Sequence, residues 1–558
     1  MPVPNSVPSQ GSAPGPGPVP ATAAPISTPQ TREQPRGSSH AALVAAGIFL
    51  SRIFGLVRQR VLSHYLGLSD AGDAFGSALR IPNVLQNLLG EGVLSASFIP
   101  VYARLRAEGR DEEARAVANA VFGLLALAAS IVVLLGMLLA APLTSIIAPG
   151  FEGDKRDLTV RLVRLLFPGA GLFVLSAWCL GVLNSHRRFL LSYAAPVIWN
   201  VAIIVTVIAS AGSRDESGIA IAAALGSVAG AALQVIVQLP TVIGLMGRLR
   251  PSLATGSTQV RTVLGNFGPV LIGRGVVQIS AYVDSILASL LGTGAVAALG
   301  NAQVLYTLPV SLFGMSVSAA ELPAMSSATG TDAQIADALR LRLNAGLRRI
   351  AFFVIPSAAA FLAFGGVIAG ALFQTGKFTA EDSRYVWAIL AGSAVGLLAA
   401  TMGRLYSSGY YALRDTRTPL RFAILRVFLT TLLGYLCAVP LPPLLGVDPK
   451  WGVAGLTASA GIAGWLEFFL LRQGLNRRIG ATGLPVLLLS GLWAAALTGA
   501  AAGYAAGQWI TVAHPWARAA LILAPFGAVY LGLTMAAGVR EARAIGGRLF
   551  GRSSAGDR

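Results

Sequence analysis

From residue 41 onward the chain alternates long apolar runs with short polar connections. Each run holds about twenty or more residues, the length a helix needs to cross the ~30 Å hydrocarbon layer of a bilayer. Fourteen runs start near residues 41, 75, 117, 160, 190, 218, 262, 295, 346, 384, 419, 452, 483 and 516. Many contain Gly, Pro or Ser, which membrane helices tolerate where neighbours satisfy the freed backbone groups. The pattern predicts an all-α polytopic membrane protein. Residues 1–40 lack an apolar core, are rich in Pro, Ser, Gly and Ala, and read as a disordered tail rather than a cleavable signal peptide.

The connections test that count. Alternate ones are rich in arginine: Arg104, Arg106, Arg110 and Arg115; Arg187 and Arg188; Arg248, Arg250 and Arg261; Arg340, Arg342, Arg348 and Arg349; Arg414, Arg417 and Arg421; Arg472, Arg477 and Arg478. The intervening ones carry few cations and several acids, among them Asp70, Glu152, Asp154, Asp215, Glu216, Glu381 and Asp382. Positive charge resists translocation, so the arginine-rich set is expected in the cytoplasm, with both termini on that side.

The chain also repeats itself. Arg52 and Arg274, Pro82 and Pro309, Pro100 and Pro323, and Pro196 and Pro419 recur at an offset of about 225 residues, the kind of internal repeat that flanks a central site in many transporters. The offset spans six helices, so the expected halves share one orientation. The expected division is a tail at 1–40, one six-helix lobe at 41–250, a second at 251–480, two further helices at 481–540 and a basic tail at 541–558. Chance alignment of common Gly and Pro is the competing reading.

Composition narrows the class. Only 12% of the 558 residues are charged and 54% are apolar, with mean hydropathy +0.68. So few charges cannot clothe a soluble surface of this size. The net charge of +18 follows from the arginine connections; no compact basic domain is present to bind nucleic acid. Cys179 and Cys437 both fall inside apolar runs, without a Cys/His cluster, so no metal site is expected. GxSxG, HExxH and P-loop patterns are missing, which argues against an enzyme and against direct ATP hydrolysis. No cofactor is expected, and Na⁺, H⁺, the membrane potential or substrate supply remain as energy sources.

Ionisable residues inside spans carry the candidate chemistry, because each costs about 2.5–3.5 kcal/mol at the bilayer centre on insertion scales. In the first span Arg52, Gly55 and Gln59 share one helical face and Arg58 points elsewhere. Arg60 reads as a helix-end arginine snorkelling to headgroups. The second span carries Asp73, Arg80, Asn87 and Glu91 on one stripe, with Pro82 expected to kink it and glycines flanking Glu91. An internal Asp73–Arg80 pair that only stabilises packing is the plainer reading. The seventh span sets Arg274, Gln278 and Ser285 on one face with Asp284 beside them. Guanidinium groups on both sides of a cavity would attract a dianionic substrate, because their forks pair with phosphate oxygens.

These residues resemble a known family. Ser51-Arg52-Ile53-Phe54-Gly55-Leu56-Val57-Arg58 is similar to the first-helix motif SR-x-x-G-x-x-R of the MurJ/MviN family. Asp73-Ala74-Phe75, Arg80-Ile81-Pro82-Asn83, Glu91-Gly92 and Phe98-Ile99-Pro100 resemble its second helix. Ala148-Pro149-Gly150-Phe151, Phe373-Gln374-Thr375-Gly376-Lys377-Phe378-Thr379 and Asp415-Thr416-Arg417-Thr418-Pro419 follow in the family's order. The resemblance implies the multidrug/oligosaccharidyl-lipid/polysaccharide exporter superfamily. Its fold is two pseudo-repeated six-helix lobes around a central cavity plus two C-terminal helices. The implied role is flipping lipid II, the undecaprenyl-pyrophosphate-linked peptidoglycan precursor, across a bacterial inner membrane by alternating access, as a monomer among membrane lipids. It implies substrate binding by Arg52 and Arg58, joined on the residues above by Arg274 and Gln278. Gate or cavity roles then fall to Asp73, Arg80, Asn87, Glu91 and Asp284. The chain departs from the pattern at Gln86 and Asn87, and at Gln303, Val304 and Thr307, where charges are usual; Arg274 could supply the missing cation. A flippase for another undecaprenyl-linked polysaccharide precursor, and a cation-coupled antiporter of the superfamily, stay open as alternatives.

Overall fold

The computed structural model describes residues 36–509 and 514–549; the side chains of Glu91, Arg274 and Gln278 lie outside what it describes. The described residues form helices joined by short connections. In chain order they are α1 (Arg36–Leu66), α2 (Asp70–Leu89), α3 (Glu91–Ala107), α4 (Asp111–Leu138), α5 (Ala140–Ile147), α6 (Gly153–Ser185) and α7 (Phe189–Ser210). Next come α8 (Glu216–Met246), α9 (Thr258–Ser289), α10 (Ala295–Pro309), α11 (Ser316–Ser326), α12 (Asp332–Phe373) and α13 (Ala380–Ala412). Last are α14 (Arg417–Ala438), α15 (Leu441–Leu444), α16 (Gly452–Ile479), α17 (Val486–Trp509), α18 (Pro515–Ala536) and α19 (Arg540–Leu549).

Twelve segments among the described residues are long and apolar enough to cross a membrane. Helices α1 and α9, of 31 and 32 residues, add the length for two more. The order matches the fourteen apolar runs. Local chemistry sets the boundaries. Ser69 caps α2 by accepting from the Gly72 amide, and Thr331 and Thr379 open α12 and α13 with capping boxes. The long α2–α3 element breaks at Gly90, not at Pro82, through which α2 stays helical. A proline costs a helix one hydrogen bond, whereas Gly90 takes an extended conformation that ends the ladder outright. Helix α1 starts at Arg36, inside the stretch expected to be tail, and α19 gives the basic C-terminus an ordered turn with Ala542 fully buried.

Packing repeats with the sequence. Helix α6 lies against α4 and α8 as α13 lies against α12 and α16; α7 lies against α1 and α8 as α14 lies against α9 and α16. Helix α2 meets α6 as α10 meets α13. Each pairing recurs six spans later, which is a parallel repeat. Two apolar clusters hold the first half together and the largest holds the second. Helices α17 and α18 pack as a pair on α12, where Tyr530 donates to the Phe352 carbonyl at 2.6 Å. Leu134 and Leu138 on α4 and Phe428 and Leu432 on α14 face outward, 46 to 67% exposed. An outer surface this apolar requires lipid as its solvent.

Candidate functional site

The halves meet where α1 ends and α2, α10 and α13 begin. Asp73 is the centre of that contact. Its side chain is fully buried and its Oδ2 pairs with Lys155 Nζ of α6 at 2.7 Å. The same carboxylate accepts from the Gly294 amide at 2.7 Å and the Ala297 amide at 2.8 Å. It therefore caps the N-terminus of α10 from the other half of the molecule, satisfying amides that a helix start leaves free. The Asp73–Arg80 pair, the alternative to a cavity-lining stripe, is not formed. Arg80 sits two turns further along and turns to the second half, where its Nη2 donates to Gln303 Oε1 at 3.2 Å. Tyr282 donates to the Arg80 carbonyl at 3.0 Å.

Helix α1 makes the complementary contacts. Gln59 donates to Asn301 Oδ1 at 2.6 Å, and Ser63 to the same oxygen at 3.3 Å. Arg60 is no snorkelling residue: its Nη1 donates to the carbonyls of Ala371 at 3.0 Å and Leu372 at 2.6 Å. These are last-turn carbonyls of α12, the negative end of its dipole, where a guanidinium is favoured. One turn on, His64 Nδ1 lies 2.8 Å from Thr375 Oγ1, and its carbonyl accepts from the Lys377 amide at 2.9 Å. Gly376 turns the chain here with φ +56°, and a Cβ on it would strike the His64 carbonyl. Lys377 then reaches Glu216 of α8 at 2.5 Å.

At the opposite end, the side-chain polar contacts among the described residues stay within one half, and the connection between the halves adds a backbone bond from the Ser252 amide to the Asn119 carbonyl at 3.3 Å. Arg106 donates to the Ser185 carbonyl and Tyr102 meets His186 in the first half; Arg349 pairs with Glu321 and Arg478 with Asp415 in the second. The cross-half contact there is apolar, made by Val260 and Val263 of α9 in the cluster of Leu94 and Phe98.

The expected binding residues divide. Arg52 is exposed on the Gln59 face of α1, and a Cβ on Gly55 between them would meet open space. That face is closed at Gln59 and open below it. Arg58 turns into the first half, its guanidinium 4.6 Å from the centroid of the Trp199 ring and its Nε buried without a partner. The two arginines are thus not set side by side. Arg274, Gln278 and Glu91 fall outside the described side chains. Asp284 of α9 leaves Oδ1 buried and unpartnered, as does Arg80 at Nη1. Asn87 lines a polar cavity of about 400 Å³ inside the first half. Sequence reasoning missed Lys155, Asn301 and the Arg426–Glu467 pair at 3.0 Å; α3, α4 and α5 lie between Asp73 and Lys155 in the chain and leave no local spacing to read.

A family model described as lipid II flippase MurJ matches residues 62–526. The chain belongs to the MurJ family. The lipid II flippase MurJ of Burkholderia cenocepacia is 32% identical over 447 residues, 78% of this chain and 84% of that protein. A probable lipid II flippase MurJ of Rhizobium meliloti is 31% identical over 492 residues, 86% of this chain and 88% of its own length. Among solved structures, a MurJ in an inward closed conformation superposes with a TM-score of 0.72 at 24% identity, covering 88% of this chain and 98% of its own. An inward-facing MATE family transporter of the MOP superfamily gives 0.59 at 16% identity, covering 78% and 98%. These structures share the fold of this MurJ family member.

Proposed function

We propose that the protein flips lipid II, carrying its headgroup across the inner membrane by alternating access while the isoprenoid tail stays in lipid. The observation that supports this reading is the asymmetry of the interface between the halves: polar cross-half contacts crowd one end, and the face that bears Arg52 opens toward the other. The arginine-rich connections support an open end in the cytoplasm, with both termini beside it. The sealed end is then periplasmic. Residues 41–250 and 251–480 move as the two lobes, 481–540 supply the outer helix pair, and a monomer suffices.

Arg52, facing the opening, meets the pyrophosphate first. Arg58 leaves the Trp199 face to join it, a contact worth about 0.5–2 kcal/mol as a cation–π pair and readily exchanged for a phosphate. Arg274 of α9 supplies the charge the family carries elsewhere, and Gln278 adds a polar contact to the headgroup. Asp73, Arg80, Asn87, Glu91 and Asp284 gate the passage. Without an ATP site, the membrane potential or a Na⁺ or H⁺ gradient resets the empty carrier.

The test is complementation of a MurJ-depleted bacterium, with lipid II accessibility measured at the outer leaflet. The wild type should restore growth and exposure of lipid II, and Arg52→Ala and Arg58→Ala should insert normally and restore neither. Wild-type flipping by both variants refutes the reading. Rescue of a polysaccharide-precursor flippase instead of MurJ would favour another undecaprenyl-linked substrate.

A further inference from the structure

The cavity of about 400 Å³ lies wholly within the first half, between α2, α3, α6, α7 and α8, and its chemistry differs from that of the arginine helices. Its volume is that of a small-ligand site. Gln86 and Asn87 reach it from α2, Ser95 from α3, Phe173 and Ser176 from α6, and Gln234 from α8. The described lining residues are amides, hydroxyls and apolar groups, none of them charged.

Ser176 fixes one of those amides. It donates to Gln238 Oε1 at 2.8 Å and accepts from Gln234 Nε2 at 2.7 Å. Gln234 is thereby held with Oε1 pointing away from Ser176, buried and without a hydrogen-bond partner among the described residues. The residue is 7% exposed, so bulk water does not satisfy that oxygen, and a buried acceptor left unpaired is costly. Across the cavity, the break at Gly90 starts α3 without a side-chain cap; the Val93 and Leu94 amides donate to the Gly90 carbonyl, which leaves the Gly92 amide on the cavity wall as the donor. Phe173 presents a flat apolar wall. Its ring meets Trp199 edge to face at 5.4 Å between centroids, and Trp199 also carries the Arg58 guanidinium at 4.6 Å.

We infer that this cavity is a subsite for a secondary amide, such as the acetamido group of an N-acetylated sugar. One N–H of such a group would meet Gln234 Oε1. Its carbonyl would meet the donors at the start of α3 and on Asn87. The carbon face of a sugar ring would lie on Phe173. The inference rests on the flippase reading, since it sets an uncharged part of the headgroup on Phe173, whose neighbour Trp199 holds Arg58 before that arginine turns to the phosphate. An amide of a peptide stem has the same donor and acceptor, so the experiment separates the two sources.

Saturation-transfer NMR on the full chain in lipid nanodiscs, with N-acetylglucosamine, glucose and N-acetylalanine methylamide as probes, reads the site directly. The acetamido methyl of N-acetylglucosamine should saturate at least about tenfold more strongly than any glucose proton, the worth of one good hydrogen bond. Gln234→Leu should abolish that signal, and Asn87→Ala, on the cavity wall, should weaken it with unchanged melting. A methylamide signal equal to that of the sugar supports an amide subsite and assigns it to the peptide. Equal signals from glucose and N-acetylglucosamine, or full signals in both variants, overturn it. The flippase reading fails separately, by wild-type flipping in Arg52→Ala and Arg58→Ala.

Discussion

The two ends of the interface between the halves are made of different materials. At the sealed end, side chains of one half hold helix termini of the other: Asp73 takes the first amides of α10, and Arg60 takes the last carbonyls of α12. At the open end, charged and polar side chains pair inside their own half, and the side-chain contact across is the apolar edge of α9. Hydrogen bonds to helix termini are directional and switch off within about an ångström of displacement. Apolar contact tolerates sliding. The sealed end therefore behaves as a latch and the open end as a bearing, which is what two rocking lobes require.

The sharpest way to break this contrast is Asp73→Ala. It leaves Lys155, 12% exposed, with Asp70 at 2.9 Å as its remaining carboxylate and frees the Gly294 and Ala297 amides, a loss of about 1–3 kcal/mol for each buried donor left unpaired. A cysteine placed at Ser63, 3% exposed behind the latch, should become labelled by an impermeant maleimide many times faster in that background. Labelling at the wild-type rate would show that the latch does not hold the halves. Arg60→Ala should follow, costing about 2 kcal/mol for a charged donor shared by two carbonyls, with a smaller rise in labelling. Lys377→Ala removes a half-exposed ion pair to Glu216 and should shift labelling by the equivalent of less than about 1 kcal/mol.

Away from the latch, Asp415 gives the contrasting small effect. The Thr418 amide and hydroxyl, with Arg478, hold its carboxyl down at about 2 from an ordinary 3.8. A lowered folded-state pKa stabilises above the unfolded value and is lost as pH falls through the folded one. The melting difference between wild type and Asp415→Ala should therefore be full at pH 7 and shrink between about pH 4 and pH 2, while Ser63 labelling stays unchanged. A difference that persists at pH 2 would remove the carboxylate from the account.

Much of the fold is legible in the sequence because bilayer thickness turns hydropathy directly into helices. The repeat is legible for a related reason: Pro82, Pro196, Pro309 and Pro419 mark corresponding helices. The latch is only half legible. Asp73 stands out as a charge in an apolar run, yet its partners are backbone amides of Gly294 and Ala297, which carry no side-chain signature. Arg60 looks like an interfacial arginine because a helix terminus from another half leaves no mark in local spacing. Gln303 shows how a missing charge is replaced: an amide accepts from Arg80 where the family pattern leads one to expect an ion pair.

The most direct test of a latch that must open is to weld it. His64 and Thr375, side chains 2.8 Å apart across the halves, can be exchanged for cysteines after Cys179 and Cys437, the free cysteines, are replaced by alanine. Oxidation should form the cross-link and stop lipid II from reaching the outer leaflet, and reduction should restore it. Undiminished flipping with the cross-link fully formed would contradict a transport cycle that opens this end.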